Sequence, residues 1–331
     1  MNILQVILIV IIAIPVIGFV YQTLATRRDQ RRFPSPGQLV DIGGRRLHLN
    51  VMGEAKPGPT VILEAGMASI SSNWGWVQQE VSKTAPVVAY DRAGLGWSDP
   101  GKKPLDAAKS ARELHTALQK ADIPAPYVLA GHSYRGLVIR MFADLYPDEV
   151  AGMVLVDSSH PDQWIQIPAS RGGQTVAFGN RVTALLARFG LFRLIHLEES
   201  YIVGLPQQQH DEMRAYLATP TGWSVGADGI IAWRDFSREQ VNGTRSLGDL
   251  PLFVLSVTEQ AQYADVLTKL QEALAKLSSN SRHVTVEGAT HYTLVSMQEY
   301  AAVVSDAILQ VVEAARTGQP LSADGSPLAT K

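Results

Sequence analysis

The chain has 331 residues, of which 46% are hydrophobic and 18% charged, the balance of an ordinary folded protein. Its formal net charge is −2, so nothing in the charge balance indicates a nucleic-acid partner or a strongly charged one. It contains no cysteine, which excludes disulfides, thiolate catalysis and cysteine-based metal sites.

The N-terminal segment is almost entirely apolar from Ile3 to Tyr21, and no charged residue precedes Arg27. A run of this length can cross a hydrocarbon core of about 30 Å as a helix. A cleaved signal peptide is the alternative, but basic residues follow the run instead of preceding it, and residues 23–25 form a weak cleavage site. We therefore predict an uncleaved anchor over residues 1–24, with the next domain cytoplasmic by the positive-inside tendency; export after cleavage is the alternative.

The rest of the chain divides by the spacing of its apolar residues. A polar juxtamembrane linker is expected over residues 25–37, and strand-like and helical segments alternate over residues 38–157 and 249–316. Residues 158–248 break this alternation with irregular helical stretches, and residues 317–331 have the composition of a flexible tail. Repeated strand–helix units predict an α/β fold with a mainly parallel sheet and helices on both faces. The irregular middle segment is expected to be a helical cap over the carboxyl edge of that sheet.

The motif Gly131-His132-Ser133-Tyr134-Arg135 lies between a short apolar run and a helical pattern. Strand, sharp turn with a central serine, then helix is the layout of a nucleophile elbow, in which a strained turn exposes the hydroxyl. A hydroxyl is a weak nucleophile until a base takes its proton, so a downstream histidine is required. The elbow pattern favours glycine two residues after the serine. Since Arg135 occupies that position, we expect its side chain to reach solvent or to strain the turn.

His291 follows the last strand-like segment and is the predicted base. A carboxylate must orient its imidazole, and two candidates remain. Asp157 ends one predicted strand and Glu259 follows the next, so both should lie at the same edge of the sheet. Asp157 is preferred because an acid seated on a strand terminus is better pre-organised, and Glu259 stays as the alternative.

A developing oxyanion needs two backbone donors. The amide of Tyr134, directly after the predicted nucleophile, is the first candidate. The amide of Met67, in the turn that follows the predicted strand Thr60–Leu63, is the second. The sequence assigns no substrate-binding residue.

From about residue 38 to residue 316 the chain resembles the α/β-hydrolase superfamily. Residues 91–98, Asp-Arg-Ala-Gly-Leu-Gly-Trp-Ser, resemble its Asp-Arg-x-Gly-x-Gly-x-Ser turn, while residues 131–134 resemble its elbow and 288–291 its base loop. The resemblance implies Ser133 as nucleophile, His291 as base, an acid after strand six or seven, and no metal or organic cofactor. The serine argues against relatives with aspartate there, such as haloalkane dehalogenases and many epoxide hydrolases.

These observations predict a membrane-anchored serine hydrolase, carboxylesterase-like or lipase-like, that cleaves a small ester through an acyl-enzyme. The cap and the anchor favour an apolar or lipid-like substrate. One alternative is a catalytically decayed scaffold or acyl-ligand binder, because Arg135 departs from the elbow pattern. A second is an acyltransferase or carbon–carbon bond hydrolase with the same Ser-His-acid triad.

Overall fold

The computed structural model describes residues 2–166, 173–196, 198–258 and 263–321. Within these ranges the strands form one eight-stranded sheet in the order β1-β2-β4-β3-β5-β6-β7-β8. The first hairpin and the β2–β4 pair are antiparallel, and all other pairs are parallel, which confirms the predicted mainly parallel sheet. The strands are β1 Gln38–Asp41, β2 Arg46–Met52, β3 Thr60–Glu64, β4 Val87–Asp91, β5 Tyr127–His132, β6 Val150–Val156, β7 Leu252–Val257 and β8 Ser281–Val286.

Helices cover both faces of the sheet. The central strands β3, β4 and β5 are buried along their whole length, as expected of parallel strands covered on both sides. The helices are α1 Ile3–Arg32, α2 Gly75–Val81, α3 Ala107–Lys120, α4 Gly136–Leu145, α5 Gln163–Gln166, α6 Gly173–Ala187, α7 Leu191–Ile195, α8 Glu199–Ile202, α9 Gln207–Leu217, α10 Pro220–Ala232, α11 Arg238–Asn242, α12 Ala264–Ala275, α13 Thr293–Ser296 and α14 Gln298–Thr317. An apolar cluster on one face contains residues of α2 and α14, and another, on the opposite face, contains residues of α3 and α4.

The N-terminal helix α1 is longer than the sequence predicts. It has 30 residues, so the linker expected from residue 25 is helical as far as Arg32. Arg31 and Arg32 lie in its last turn, where positive charge interacts favourably with the helix dipole, and Pro34 follows the cap residue Phe33. By length and composition α1 can cross a membrane, and its most apolar stretch is not buried against the protein.

The segment between β6 and β7 folds as helices α5 to α11. These helices lie over the loops that follow β3 and β5. Met67, in the first loop, packs against Ala177 of α6 and against Ala227 and Ile230 of α10. Tyr134, in the second loop, has its hydroxyl 2.6 Å from Oγ of Ser237. The helical segment therefore covers the carboxyl ends of the strands, where folds of this class place their sites.

Candidate active site

Ser133 lies in a tight turn between β5 and α4. Its φ of 61° is in the left-handed region, which is unusual for a residue with a side chain. The loop after β6 holds this turn from the other side. The amide of Ser159 donates to the carbonyl of Ser133 at 3.0 Å, and Oγ of Ser158 donates to the carbonyl of Gly131 at 2.8 Å.

Two glycines provide the close packing that this turn requires. A Cβ on Gly131 would lie 3.0 Å from the carbonyl oxygen of Arg135, and a Cβ on Gly136 would lie 2.5 Å from the side chain of Ser158. The small residues of the turn thus stand two positions before and three positions after Ser133. Arg135 itself has ordinary right-handed dihedral angles, φ −77° and ψ −11°.

The sequence-based expectation for Arg135 is wrong in both of its forms. The residue is 3% exposed, so its side chain does not reach solvent, and its backbone is not in a strained region. Its guanidinium lies over the ring of Tyr134, 4.6 Å from the centroid. Its Nε lies 3.9 Å from Oε1 of Glu64, a fully buried carboxylate that also pairs with Arg92. An arginine fits here because the protein interior supplies a counter-charge.

Burial sets the protonation tendencies of this buried cluster. It lowers the pKa of Arg135 to about 9, helped by the nearby charge of Arg92 and opposed by Glu64. It raises the pKa of Glu64 despite the attraction of both guanidinium groups. Within the described residues, Nε and Nη1 of Arg135 have no hydrogen-bond partner. The pairing therefore compensates only part of the cost of burying these charges.

His291 and Asp157 are brought together at the carboxyl edge of the sheet. Nδ1 of His291 lies 2.5 Å from Oδ2 of Asp157, and both side chains are partly exposed. The amide of Val257 donates to Oδ1 of Asp157 at 3.3 Å, and the Asp157 amide donates to the carbonyl of Leu255 at 2.7 Å. The carboxylate is thus fixed between β6 and β7. The other candidate acid, Glu259, lies outside the described residues.

His132 lies beneath His291 and was not predicted as part of the site. The ring centroids are 4.5 Å apart, and Nε2 of His132 lies 2.9 Å from the carbonyl oxygen of His291. Burial, together with His291, lowers the pKa of His132 to about 3, so the ring is neutral and donates through Nε2–H. Its position directly before the serine gave a sequence signal, but only its contacts reveal that it supports the base loop.

The loop after β3 adjoins the elbow. A Cβ on Gly66 would lie 2.9 Å from Nδ1 of His132 and 3.6 Å from Cβ of Ser133, so only glycine allows this approach. Arg92, in the turn after β4, donates to the carbonyl of Ala65 at 2.5 Å and to that of Gly66 at 2.8 Å. The predicted donor Met67 is the next residue, and Arg92 therefore fixes the chain on which its amide lies.

A cavity of about 310 Å³ connects these groups. Ser133, Asp157 and His291 line it, and the remaining lining includes the rings of Trp233 and Tyr292. A larger cavity of about 730 Å³ lies between α1, α9 and Trp97, and Ser133, Asp157 and His291 are not among its lining residues. A hydroxyl, an imidazole and a carboxylate all line the smaller cavity, which makes it the candidate active site.

A family model described as the alpha/beta hydrolase fold matches residues 59–296, well over half of the chain. Among solved structures, an esterase from Thermogutta terrifontis superimposes with a TM-score of 0.62 at 22% identity, covering 84% of this chain and 98% of the esterase. An epoxide hydrolase, CorEH, superimposes with a TM-score of 0.61 at 17% identity, covering 83% and 96% of the two chains. At such identities these structures establish the fold and leave the chemistry open.

Curated relatives match over shorter stretches. A probable transporter, efuK, from Hormonema carpetanum is 36% identical over 136 residues, which are 39% of this chain and 20% of that protein. An uncharacterized vacuolar membrane protein of Saccharomyces cerevisiae is 32% identical over 131 residues, 37% of this chain and 20% of that protein. The chain spans about half or less of the length of the first curated relatives it matches.

Proposed function

Because the chain belongs to the α/β-hydrolase fold family, we propose that it is a membrane-anchored serine hydrolase that cleaves carboxylic esters. The family supports a hydrolase with a small-molecule substrate, and the serine chemistry and the ester are our proposal. The observation that carries it is that Ser133, in a left-handed turn, lines one cavity together with His291 and Asp157. Nδ1 of His291 is 2.5 Å from the Asp157 carboxylate.

The observed contact between Asp157 and His291 is the starting point for the proposed roles. Asp157 accepts from Nδ1–H of His291, which leaves Nε2 free of its proton and able to act as a base. Nε2 takes the proton of Ser133 as Oγ attacks the ester carbonyl. The amides of Met67 and Tyr134 hold the oxyanion that forms. His291 then protonates the departing alcohol, and water activated by the same base releases the acid from Ser133.

Ester cleavage is preferred over a decayed scaffold for a structural reason. The case for decay depended on Arg135 disturbing the elbow, and Arg135 is instead buried against Glu64 with relaxed dihedral angles. Acyl transfer or carbon–carbon bond hydrolysis would use the same groups, and the choice of acceptor or bond depends on the substrate.

The experiment uses the full chain in detergent micelles with a fluorophosphonate probe, which labels only an activated serine. The wild type is expected to label and to hydrolyse a short, water-soluble nitrophenyl ester, and Ser133→Ala is expected to lose both. Ser159→Ala is the matched control, because Ser159 also lines the cavity and should label like the wild type. Unlabelled but folded wild-type protein would reject the serine mechanism and restore the binding-protein alternative.

We also propose that residues 1–24 remain as an anchor, with residues 38–157 and 249–316 as the hydrolase core and 158–248 as the cap. The support is that α1 is attached to the cap by buried polar contacts. The side-chain amide of Gln22 donates to the carbonyl of Ala218 at 3.0 Å, and Arg193 donates to Gln22 at 2.9 Å. Cleavage at residues 23–25 would remove one partner of Arg193, which favours the anchor over an exported form.

The anchor is tested by the N-terminal mass of the purified protein and by alkaline extraction of membranes. An intact N-terminus and retention in the pellet are expected. A mature chain that starts near residue 26 would support export instead. A cytoplasmic orientation of the core predicts that protease added outside intact cells leaves the core uncut.

A further inference from the structure

Helix α6 exposes its large apolar side chains. Phe178 is 69% exposed and Leu185 is 53% exposed; Val182 is exposed as well, and so is Phe189 in the turn directly after the helix. These residues recur every three or four positions, so they lie on one side of the helix. They form a continuous apolar surface, which is unusual on a soluble domain.

The opposite side of α6 carries small residues. Ala177, Ala184 and Ala187 are buried and face the protein, where Ala177 packs with Ala227 and Ile230 of α10. A helix on the surface of a soluble domain normally has the reverse pattern, with large apolar residues inside and polar residues outside. The sequence of α6 therefore fits a helix whose outer surface meets an apolar medium.

Helix α7 extends the same surface. Leu194 is 66% exposed and Ile195 is 51% exposed, and α7 follows α6 after a short turn at Gly190. We define the cap apolar face as the exposed apolar residues on this side of α6, in the turn after it and on α7: Phe178, Val182, Leu185, Leu186, Phe189, Leu194 and Ile195. Arg188, in the same turn, is also exposed and can extend its charge toward lipid head groups.

The cap apolar face adjoins the anchor within the anchor's apolar part. A Cβ on Gly18 would lie 2.5 Å from the carbonyl oxygen of Phe189, and one on Gly190 would lie 2.7 Å from the ring of Tyr21. Gly18 and Tyr21 both belong to the apolar run that starts at Ile3. At about 1.5 Å per residue, Gly18 lies about 6 Å inside the end of that run at Gln22.

We propose that the cap apolar face is seated in the lipid interface beside the anchor, so that the cap is a second membrane contact of this protein. The proposal rests on the proposed anchor, because a bilayer around Ile3–Tyr21 must also reach the part of the cap that contacts Gly18. Interfacial helices insert their apolar side by about 5–10 Å, which agrees with the depth of this contact. The occupant is a bilayer and not a soluble partner, because the face is continuous with the membrane-spanning helix.

Seating the cap in lipid would place the candidate active site close to the membrane. Met67, in the loop after β3, packs against the inner side of α6 and against α10, where a Cβ on Gly229 would lie 3.4 Å from Cγ of Met67. The loop with the proposed oxyanion donor is therefore one helix away from the cap apolar face. An ester dissolved in the bilayer would reach this site without crossing much water.

The natural chain has no cysteine, so single cysteines can be placed and labelled without other changes. The full chain is reconstituted in nanodiscs of phosphatidylcholine and phosphatidylglycerol, with a nitroxide on Phe178→Cys or, in a second variant, on Leu185→Cys. Ile11→Cys in α1 is the reference for lipid, and Gln207→Cys at the start of α9 is the reference for water. Ala218, which caps the end of α9, contacts Gln22, and Asp211 within α9 contacts Arg32. Gln207, at the other end of α9, therefore lies farther from the bilayer.

The measurement compares relaxation by oxygen, which concentrates in hydrocarbon, with relaxation by a water-soluble nickel chelate. The expected result is that the labels at 178 and 185 follow the label at 11, with strong oxygen contact and weak nickel contact. Labels at 178 and 185 that follow the one at 207, while the label at 11 stays in lipid, would overturn the proposal and leave the anchor intact. Spin–spin broadening of the label at 178 would show that a second copy of the chain covers the face, which would overturn the membrane proposal. A label at 11 exposed to water would overturn both this proposal and the proposed anchor. This measurement does not depend on serine hydrolase activity. A failure of the membrane proposal can therefore be told apart from a failure of the proposed enzymatic function.

Discussion

Arg135 and Glu64 form a buried pair directly beneath the candidate elbow, with Nε of Arg135 3.9 Å from Oε1 of Glu64. Removing the arginine leaves a fully buried carboxylate with Arg92 as its remaining counter-charge and opens a void beneath Tyr134. We expect Arg135→Ala to lower the free energy of unfolding by about 3 kcal/mol, the lower end for breaking a buried ion pair. Thermal and urea unfolding of the full chain in detergent measure the change.

The matched control for that substitution is Arg112→Ala. Arg112 is exposed on α3, so the same chemical change there should alter stability by less than about 0.5 kcal/mol. If Arg135→Ala instead raised stability or activity, the buried pair would be a source of strain. That result would support the sequence-based expectation that Arg135 strains the elbow.

The contact between Asp157 and His291 predicts which carboxylate supports catalysis. Asp157→Asn keeps the size of the side chain but favours the wrong tautomer of the imidazole. We therefore expect kcat/KM for a soluble ester to fall by about 10³–10⁴-fold with little loss of folded protein. Glu259→Gln is the control and should leave the rate within about threefold of the wild type. The reverse pattern would assign the acid to Glu259.

His132 predicts a pH dependence of stability with a definite sign. Its folded pKa of about 3 lies far below the ordinary value of about 6.5. Between these values the unfolded chain binds a proton that the folded chain does not, so stability falls as the pH is lowered through this window. His132→Asn removes this contribution. The wild-type advantage over the variant should therefore shrink by about 2 kcal/mol between pH 7 and pH 5.

Unfolding free energies of the wild type and His132→Asn at several pH values test this prediction, because the other histidines are common to both proteins and cancel in the difference. A difference that does not change with pH would mean that the folded protein leaves the pKa of His132 at its ordinary value, as expected for an exposed ring. Circular dichroism at pH 7 provides the control that the variant is folded.

The sheet was predictable because its signals are local. The buried strand predicted over Thr60–Leu63 follows from a short apolar run, and it is found where expected, as β3. The pairing of Asp157 with His291 was also foreseeable, as both follow parallel strands whose ends share one edge.

What sequence reasoning missed depends on contacts between distant segments. Arg135 and Glu64 are 71 positions apart in the chain, and the residues around each of them do not predict their contact. The continuation of α1 to Arg32 was missed because the charged residues of its last turns have the composition of a linker. Their partners lie far away in the chain, as Arg193 of α7 does for Asp29 at 2.6 Å. The exposure of the apolar side of α6 was not predicted. Apolar spacing shows that a helix has an apolar side, but it does not show whether that side packs against the protein or faces outward.

The contact between α1 and the turn after α6 predicts opposite effects of the same substitution at two glycines. Gly179, on α6, has open space around it, so Gly179→Ala should stabilise the helix by about 0.5–1 kcal/mol. Gly18→Ala adds the same methyl group 2.5 Å from the Phe189 carbonyl oxygen, and the cap must move away from α1 to accept it. We expect Gly18→Ala to lower the melting temperature in nanodiscs and to speed trypsin cleavage at Arg188 and Arg193, while Gly179→Ala does neither. Equal behaviour of the two variants would indicate that α1 and the cap do not pack together in the membrane.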